Sequence, residues 1–352
     1  MKTLESAPKL FHILFVTVFT ILSCAVFPQE PGTCAEKLKS AQSFFGKGQI
    51  EQVPALLQPC LKSGFTKEEE LSGYKLLIQT FLLDDKMEQA DSTMYSFLRK
   101  NPEYLTSPTD HSSFVYLYNN FIVKPVIQIG VRAGTCIPFL TFIKENPTAG
   151  EPGKSVYNTN AANLYISLEA KFRFGKKLEI GMEAGYSRLK FTNVVNYMGF
   201  GTIDYIEAQQ RLEIPINITY DITSFGKFTP YGRIGVGAAY NLSTSADVSF
   251  NVTDKNNPNN RTGVTLDRKD SRVPLDIFGQ IGAGMKYKIP RGYLFTEIRS
   301  NFGIRNQNIT GGSTVNILEN YYFWSDPGFR LNSLNLNIGY TFVFYKPSKR
   351  KE

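Results

Sequence analysis

Acidic and basic side chains recur at every second position through much of this chain, and they are its main candidates for chemistry. Glu169, Lys171 and Arg173 follow this spacing, and so do Glu207 and Arg211. Alternate residues of an extended strand lie on one face. Carboxylates close together can transfer protons, but carboxylates that face Arg and Lys are better explained as ion pairs. The predicted ion-pair network comprises Glu169, Lys171, Arg173, Glu179, Glu183, Glu207, Arg211, Glu213, Arg233, Asp276, Lys286, Glu297 and Arg299.

Histidine, the usual general base of hydrolases, is scarce. His12 lies in an apolar N-terminal segment, and His111 has no nucleophile spaced around it. The sequence shows no cluster of metal ligands, and its Gly-x-Gly pairs at Gly235 and Gly282 lie mid-strand with no helix following. We therefore predict no catalytic residues, no metal site and no cofactor, and a protein that is not an enzyme.

The cysteines indicate structural chemistry. Cys34 and Cys60 lie at the start of one predicted helix and the end of the next, positions that an antiparallel hairpin brings together. In an oxidising compartment a disulfide there would stabilise the fold by roughly 3 kcal/mol. Cys136 lies in a strand and is predicted to be a small residue facing the interior.

Eight long segments, in which apolar residues recur at every second position, must position the ionisable residues. Residues 209–221 alternate without interruption: Leu212, Ile214 and Ile216 lie on one side, Arg211 and Glu213 on the other. Such a strand is far longer than the usual five or six residues or so of soluble proteins. The predicted strands lie near residues 125–142, 161–174, 178–187, 206–221, 228–243, 273–289, 294–305 and 334–344.

The predicted connections alternate in length. Long ones follow the odd-numbered strands, at residues 144–160, 193–202, 244–272 and 306–329, and short ones follow even-numbered strands, at residues 175–177, 223–227 and 290–292. An up-and-down sheet then carries every long loop at one end. This pattern is typical of transmembrane barrels of the outer membrane.

Interior volume decides which face points outward. Eight strands enclose a space that side chains just fill. The Gly-rich charged face fits there, whereas a charge on the lipid side costs up to roughly 2–4 kcal/mol near the midplane. We predict an all-β up-and-down eight-stranded antiparallel transmembrane barrel over residues 125–346, with lipid of the outer membrane around it. Closure leaves no free strand edges in the lipid.

The residues before the barrel change to a helical period. Residues 26–106 predict two helix pairs, and Thr66 with Glu69 matches a capping box. Residues 107–124 are interpreted as a connector and 347–352 as a basic tail. The small all-α domain resembles a tetratricopeptide-type hairpin array through GYKLLIQTFLLDDKMEQADSTMYSFLRKNPEY, without the Trp and Gly expected of its first helix.

The N-terminus predicts secretion. Lys2 and Lys9 precede an apolar core over residues 10–22, too short for a spanning helix and typical of a signal peptide. Cleavage after Ala25 defines a signal over residues 1–25. The alternative is acylation of Cys24.

The overall charge does not indicate a nucleic-acid partner. The formal net charge is +8 and the isoelectric point about 9.1, but basic residues are interspersed with acidic ones except at the C-terminus. A nucleic-acid binding protein would concentrate them on one face. We interpret the charge as solvated surface.

Three strands carry a family resemblance. RLEIPINITYDI, YGRIGVGAAYNL and LNLNIGYTFVFY resemble the PorT-like outer-membrane β-barrel family of Bacteroidota, over roughly residues 125–345. The resemblance implies an integral outer-membrane protein, in some cases linked to secretion or gliding machinery, and brings no catalytic residue. The helical extension is not part of the minimal family pattern.

These observations predict a non-enzymatic outer-membrane barrel with an assembly, anchoring or secretion-accessory role. The helical domain would dock a periplasmic or outer-membrane partner, or serve only as a compact plug or spacer. The alternative is a narrow transport or ligand-binding barrel that uses its outer loops. The N-terminal domain and the C-terminus are expected in the periplasm and the long loops outside a Gram-negative cell. The sequence names neither partner nor pathway.

Overall fold

The structure, a computed structural model, describes residues 32–144, 155–159, 163–197, 200–252, 261–309 and 315–350. Its contacts divide into two compact units, and the described part of the first is helical apart from strand ends. The second spans Val123–Pro347. The predicted signal peptide, with its alternative at Cys24, lies outside the described residues.

Five helices form the described part of the first unit. They are α1 (Gly32–Gly46), α2 (Val53–Lys62), α3 (Lys67–Leu83), α4 (Met87–Lys100) and α5 (Ser112–Asn119). The capping box forms as the sequence suggests, with Thr66 accepting from the Glu69 backbone N–H and Glu69 accepting from that of Thr66. Side chains including Ala41, Leu57 and Phe97 are fully buried in the core.

Helix α5 lies within residues 107–124, which were interpreted as a connector. Its eight residues are too few to show a clear helical period, so their spacing does not predict a helix. The imidazole Nδ1 of His111 accepts from the backbone N–H of Ser113 and caps the helix. Phe114 and Leu117 bury its apolar side.

Among the described residues, no helix is both long and apolar enough to cross a membrane.

The second unit is one antiparallel sheet, and its described residues form ten strands. They are β1 (Phe121–Lys144), β2 (Ser155–Thr159), β3 (Leu164–Phe174), β4 (Leu178–Tyr197), β5 (Gly201–Asp221), β6 (Phe228–Val252), β7 (Arg261–Asp267), β8 (Leu275–Ile289), β9 (Gly292–Gly303) and β10 (Gly328–Lys349). Helix α6 (Val315–Tyr322) lies in the connection between β9 and β10.

The sheet closes on itself. Pairing runs β4–β3–β1–β10–β9–β8–β6–β5, and β5 pairs with β4. Two short strands branch from this ring in the described residues, β2 on β4 and β7 on β6. The predicted count of eight strands therefore omitted two, because β2 and β7 lie in polar segments without apolar alternation.

The strands also extend further than predicted at the long-loop end. β4 continues to Tyr197 and β5 starts at Gly201, so most of the predicted loop 193–202 is strand. β6 likewise runs to Val252, well into the predicted loop 244–272. Apolar alternation ends where the outward residues become polar, but backbone pairing continues beyond that point.

The two faces of the ring differ in chemistry as the interior volume requires. Outward side chains are apolar and open, and Ile214 and Ile338 are 47% and 66% exposed. Inward side chains include Arg233 and Glu183, each 1% exposed. The unit thus buries charge and exposes apolar surface.

Candidate functional site: the barrel interior

The centre of the interior is a network of buried ion pairs. Arg132 lies between two carboxylates, with Nη1 2.6 Å from Glu183 Oε2 and Nη2 3.2 Å from Glu169 Oε2. Arg233 Nη1 is 2.9 Å from Glu169 Oε1, and its Nε is 3.1 Å from Glu297 Oε2. These residues come from β1, β3, β4, β6 and β9, so the network links strands around the ring.

Two more cations complete this centre. Arg299 Nη1 is 3.1 Å from Glu183 Oε2, and Lys171 Nζ is 3.0 Å from Glu169 Oε2. The sequence prediction omitted Arg132, although it shares the inward parity of Gln128. All seven residues are less than a tenth exposed, and removal of any one would unbalance the buried charges.

A second cluster lies at the short-turn end. Arg173 Nη2 is 2.6 Å from Glu179 Oε1, and Lys286 Nζ lies 2.8 Å from Glu179 Oε2 and 2.6 Å from Asp221 Oδ1. Arg173 also contacts Asp221. Asp221, the last residue of β5, was not predicted because it lies at the edge of the alternating run.

A third cluster lies at the long-loop end and holds Glu207. Arg272 bridges Glu207 and Asp326, with Nη2 2.5 Å from Glu207 Oε2 and Nη1 2.5 Å from Asp326 Oδ2. Arg268 also contacts Asp326. The sequence prediction omitted Arg268, Arg272 and Asp326 because they lie in connections without a period.

The remaining predicted residues lie nearby on the inner wall. Arg211 Nη2 is 3.0 Å from Asp276 Oδ2, which also accepts from Gln307 Nε2. Glu213 accepts from the Ser187 hydroxyl at 2.6 Å. The structure thus distributes the predicted residues among several clusters along the interior instead of one.

An apolar core fills the interior at the long-loop end. Trp324, which follows α6, stacks on Tyr205 with ring centroids 4.5 Å apart. Leu318 and Tyr322 of α6 pack into the same core. The core residues are Cys136, Tyr165, Leu189, Phe191, Val195, Ile203, Tyr205, Ala246, Val248, Phe250, Leu266, Leu318, Tyr322, Trp324, Phe329 and Leu331. The connection that carries α6 therefore fills this end of the interior.

The inward glycines make room for this filling. A Cβ on Gly235 would lie 2.7 Å from Gln280 Nε2, and one on Gly284 would lie 2.6 Å from the Tyr231 ring. Such distances are shorter than van der Waals contact, so only glycine fits without rearrangement. The Gly-x-Gly pairs serve packing here.

The helical unit holds the other predicted residues. Cys34 and Cys60 form a disulfide with their Cα atoms 5.7 Å apart. Asp110 accepts from Lys75 Nζ at 2.6 Å and from the Tyr104 hydroxyl at 2.5 Å. Burial alone would raise the pKa of Asp110, but these hydrogen bonds and one from the Ser107 N–H outweigh it and hold that pKa below its ordinary value.

The inward carboxylates of the ion-pair clusters lie against Arg or Lys. No group of metal-ligating side chains occurs in the parts of the chain that the structure describes. The structure places the Ser113 hydroxyl 2.8 Å from His111 Nδ1, which corrects the prediction that no nucleophile lies near this histidine, and both residues belong to the α5 cap.

A closed antiparallel ring with an apolar outer wall, a charged interior and long loops at one end defines the class of outer-membrane β-barrels. Residues 125–307 match the family model described as outer membrane protein beta-barrel domain. The chain belongs to this family and is an outer-membrane β-barrel protein. No curated protein matches it.

This chain is only distantly similar to outer-membrane barrels of known structure. Neisserial surface protein A is 13% identical, covering 60% of this chain and 95% of its own, with a TM-score of 0.29. Ail of Yersinia pestis is 10% identical, covering 62% and 99%, with a TM-score of 0.28. OprG of Pseudomonas aeruginosa is 11% identical, covering 64% and 98%, with a TM-score of 0.27.

Proposed function

We propose that this protein is a non-enzymatic outer-membrane barrel that anchors its helical unit in the periplasm, where that unit docks a partner in an assembly or secretion-accessory role. The observation that carries the proposal is the filled interior. Buried ion pairs occupy the centre, and the core around Trp324 occupies the long-loop end. A filled barrel suits anchoring better than solute passage.

The topology supports the orientation. Both ends of the barrel segment, at β1 and β10, lie at the end of the short turns, because the ring contains an even number of strands. In outer-membrane barrels the short turns face the periplasm. The helical unit and the C-terminus would then lie there, in a compartment that permits the Cys34–Cys60 disulfide.

The helical unit offers a docking surface at the turn from α3 to α4. Leu83 and Met87 are 62% and 44% exposed there. Exposed apolar side chains near each other favour protein contacts. Placement among PorT-like barrels, and a tetratricopeptide-like groove in the helices, remain finer proposals within this function.

The test separates docking from conduction. We expect affinity-tagged protein to co-purify with a periplasmic partner, and the Leu83→Asp, Met87→Asp variant to lose it while still inserting in the outer membrane. Ser92→Asp, at an exposed position of α4, is the matched control and should keep the partner. Purified protein in planar bilayers should show no regular single-channel steps. Reproducible steps, or a partner retained by the double variant, would contradict the proposal.

A further inference from the structure

The short-turn end of the barrel contains a cavity with a volume of about 410 Å³. Its floor is formed by inward side chains of the strands, including Gln128, Arg173 and Tyr293. Its rim comes from the turn after β3, which carries Lys176 and Lys177, and from the turn after β5. The volume falls within the range of about 300–1,000 Å³ common for ligand pockets.

The cavity is strongly basic. Its described lining includes one acidic residue, Asp221, and five basic ones, namely Arg173, Lys176, Lys177, Lys286 and Lys288. Arg173 and Lys286 at the floor are already paired with Glu179 and Asp221. Within the stretches that the structure describes, Lys176 and Lys177 have no ion-pair partner, so their charges remain available at the rim.

The surroundings strengthen this positive field. A cleft that is lined by one sign of charge and has walls of low dielectric concentrates the field and attracts counter-ions. The long-loop end differs, because its Arg268 and Arg272 are matched by Asp326 and Glu207. The unmatched positive charge is therefore a property of the short-turn cavity.

We propose that this cavity binds an acidic segment of a polypeptide. It lies inside the ring of strands, so its ligand arrives from water and not from the acyl chains on the outer wall. Hydroxyls of Thr223, Ser224 and Thr229 line it beside the bases and can bond peptide groups. This site belongs to the barrel and is separate from the docking surface at Leu83 and Met87.

The test uses the full chain in nanodiscs of zwitterionic lipid and a fluorescein-labelled peptide of alternating Glu and Gly. We expect saturable binding, and the Lys176→Glu, Lys177→Glu variant should weaken it by about ten-fold or more, given the usual worth of exposed charge pairs. Lys269→Glu, an exposed basic residue on the long-loop side, is the matched control and should bind as the parent does. The same peptide with Gln in place of Glu should not bind.

Three results would overturn the proposal. The first is equal binding of the Glu and Gln peptides, and the second is unchanged affinity in the double variant. The third is full displacement of the peptide by inorganic phosphate or anionic lipid vesicles at equivalent charge, which would make the cavity a general anion trap. The Leu83→Asp, Met87→Asp variant should retain peptide binding, so loss of partner docking and loss of this site are separable.

Discussion

The helical unit and the barrel of this chain are built in opposite ways. The helical unit buries Leu57 and Phe97 and leaves most of its charged side chains in water. The barrel buries Arg233 and Glu183 and exposes Ile298 and Ile338. Each arrangement puts apolar side chains away from water, since in the barrel it is lipid that covers them. The difference teaches that the surrounding solvent, and not residue type, sets which face is inside.

The largest expected effect comes from breaking the charged interior. Arg233→Met removes one of the two arginines that Glu169 and Glu297 share, and we expect a loss of about 3–5 kcal/mol in unfolding free energy. Denaturant unfolding in detergent micelles, followed by gel mobility, measures it. The double variant Arg233→Met, Glu297→Gln should recover part of the loss, and Arg330→Met on the exposed surface should cost less than about 0.5 kcal/mol. An unchanged Arg233→Met protein would mean that the buried ion pairs do not hold the ring.

The same substitution in the two units sharpens the comparison directly. Ile298 and Leu83 are almost equally exposed, at 57% and 62%. Ile298→Arg places a charge in lipid and should cost about 2–4 kcal/mol near the midplane. Leu83→Arg places it in water and should cost less than about 0.5 kcal/mol. Equal losses in lipid-reconstituted protein would remove the distinction between the two surroundings.

The disulfide should affect one unit alone. Cys34→Ser with Cys60→Ser should lower the stability of the helical unit by about 3 kcal/mol in the chain-entropy model and leave barrel unfolding unchanged. Separate thermal transitions in calorimetry would report it. Cys136→Ser, in the barrel, is the control and should leave the helical transition in place. Loss of the barrel transition in the disulfide variant would show that the units do not fold separately.

The smallest effect concerns Asp110. Because its pKa is held below the unfolded value, the unfolded chain takes up a proton first as pH falls, and stability declines from about pH 5 downward. Asp110→Asn should cost about 1–2 kcal/mol at neutral pH and flatten this acid dependence. Thermal melting of the helical unit between neutral and acid pH measures both. An identical acid limb in the variant would assign the dependence to other groups.

The sequence predicted the strands that alternate strictly and missed what lacks a period. The inward parity followed from runs such as Leu212 to Tyr220, because one face contacts lipid and the other does not. Arg132 carried the same parity signal and was overlooked. Arg272 and Asp326 could not be found this way, since they come from different connections and meet only in three dimensions.

The apolar core at the long-loop end could not be predicted from the sequence either. Nothing in the spacing of Trp324 indicates that its ring stacks on Tyr205, more than a hundred residues earlier. The short turns, by contrast, lie at nearly the predicted positions, because Gly175 and Gly226 adopt the positive φ that tight turns require. Neighbouring residues determine the conformation of a tight turn, whereas the packing of a long loop depends on residues that are distant in sequence.

One measurement directly tests the central claim that the apolar outer wall contacts hydrocarbon. Trp324 is the single tryptophan of the chain and lies 3% exposed in the long-loop core. In nanodiscs of lipid brominated on its acyl chains, native fluorescence should be little quenched, whereas Ile298→Trp in a Trp324→Phe background should be strongly quenched. Little quenching at position 298, with strong quenching of native Trp324, would contradict the account.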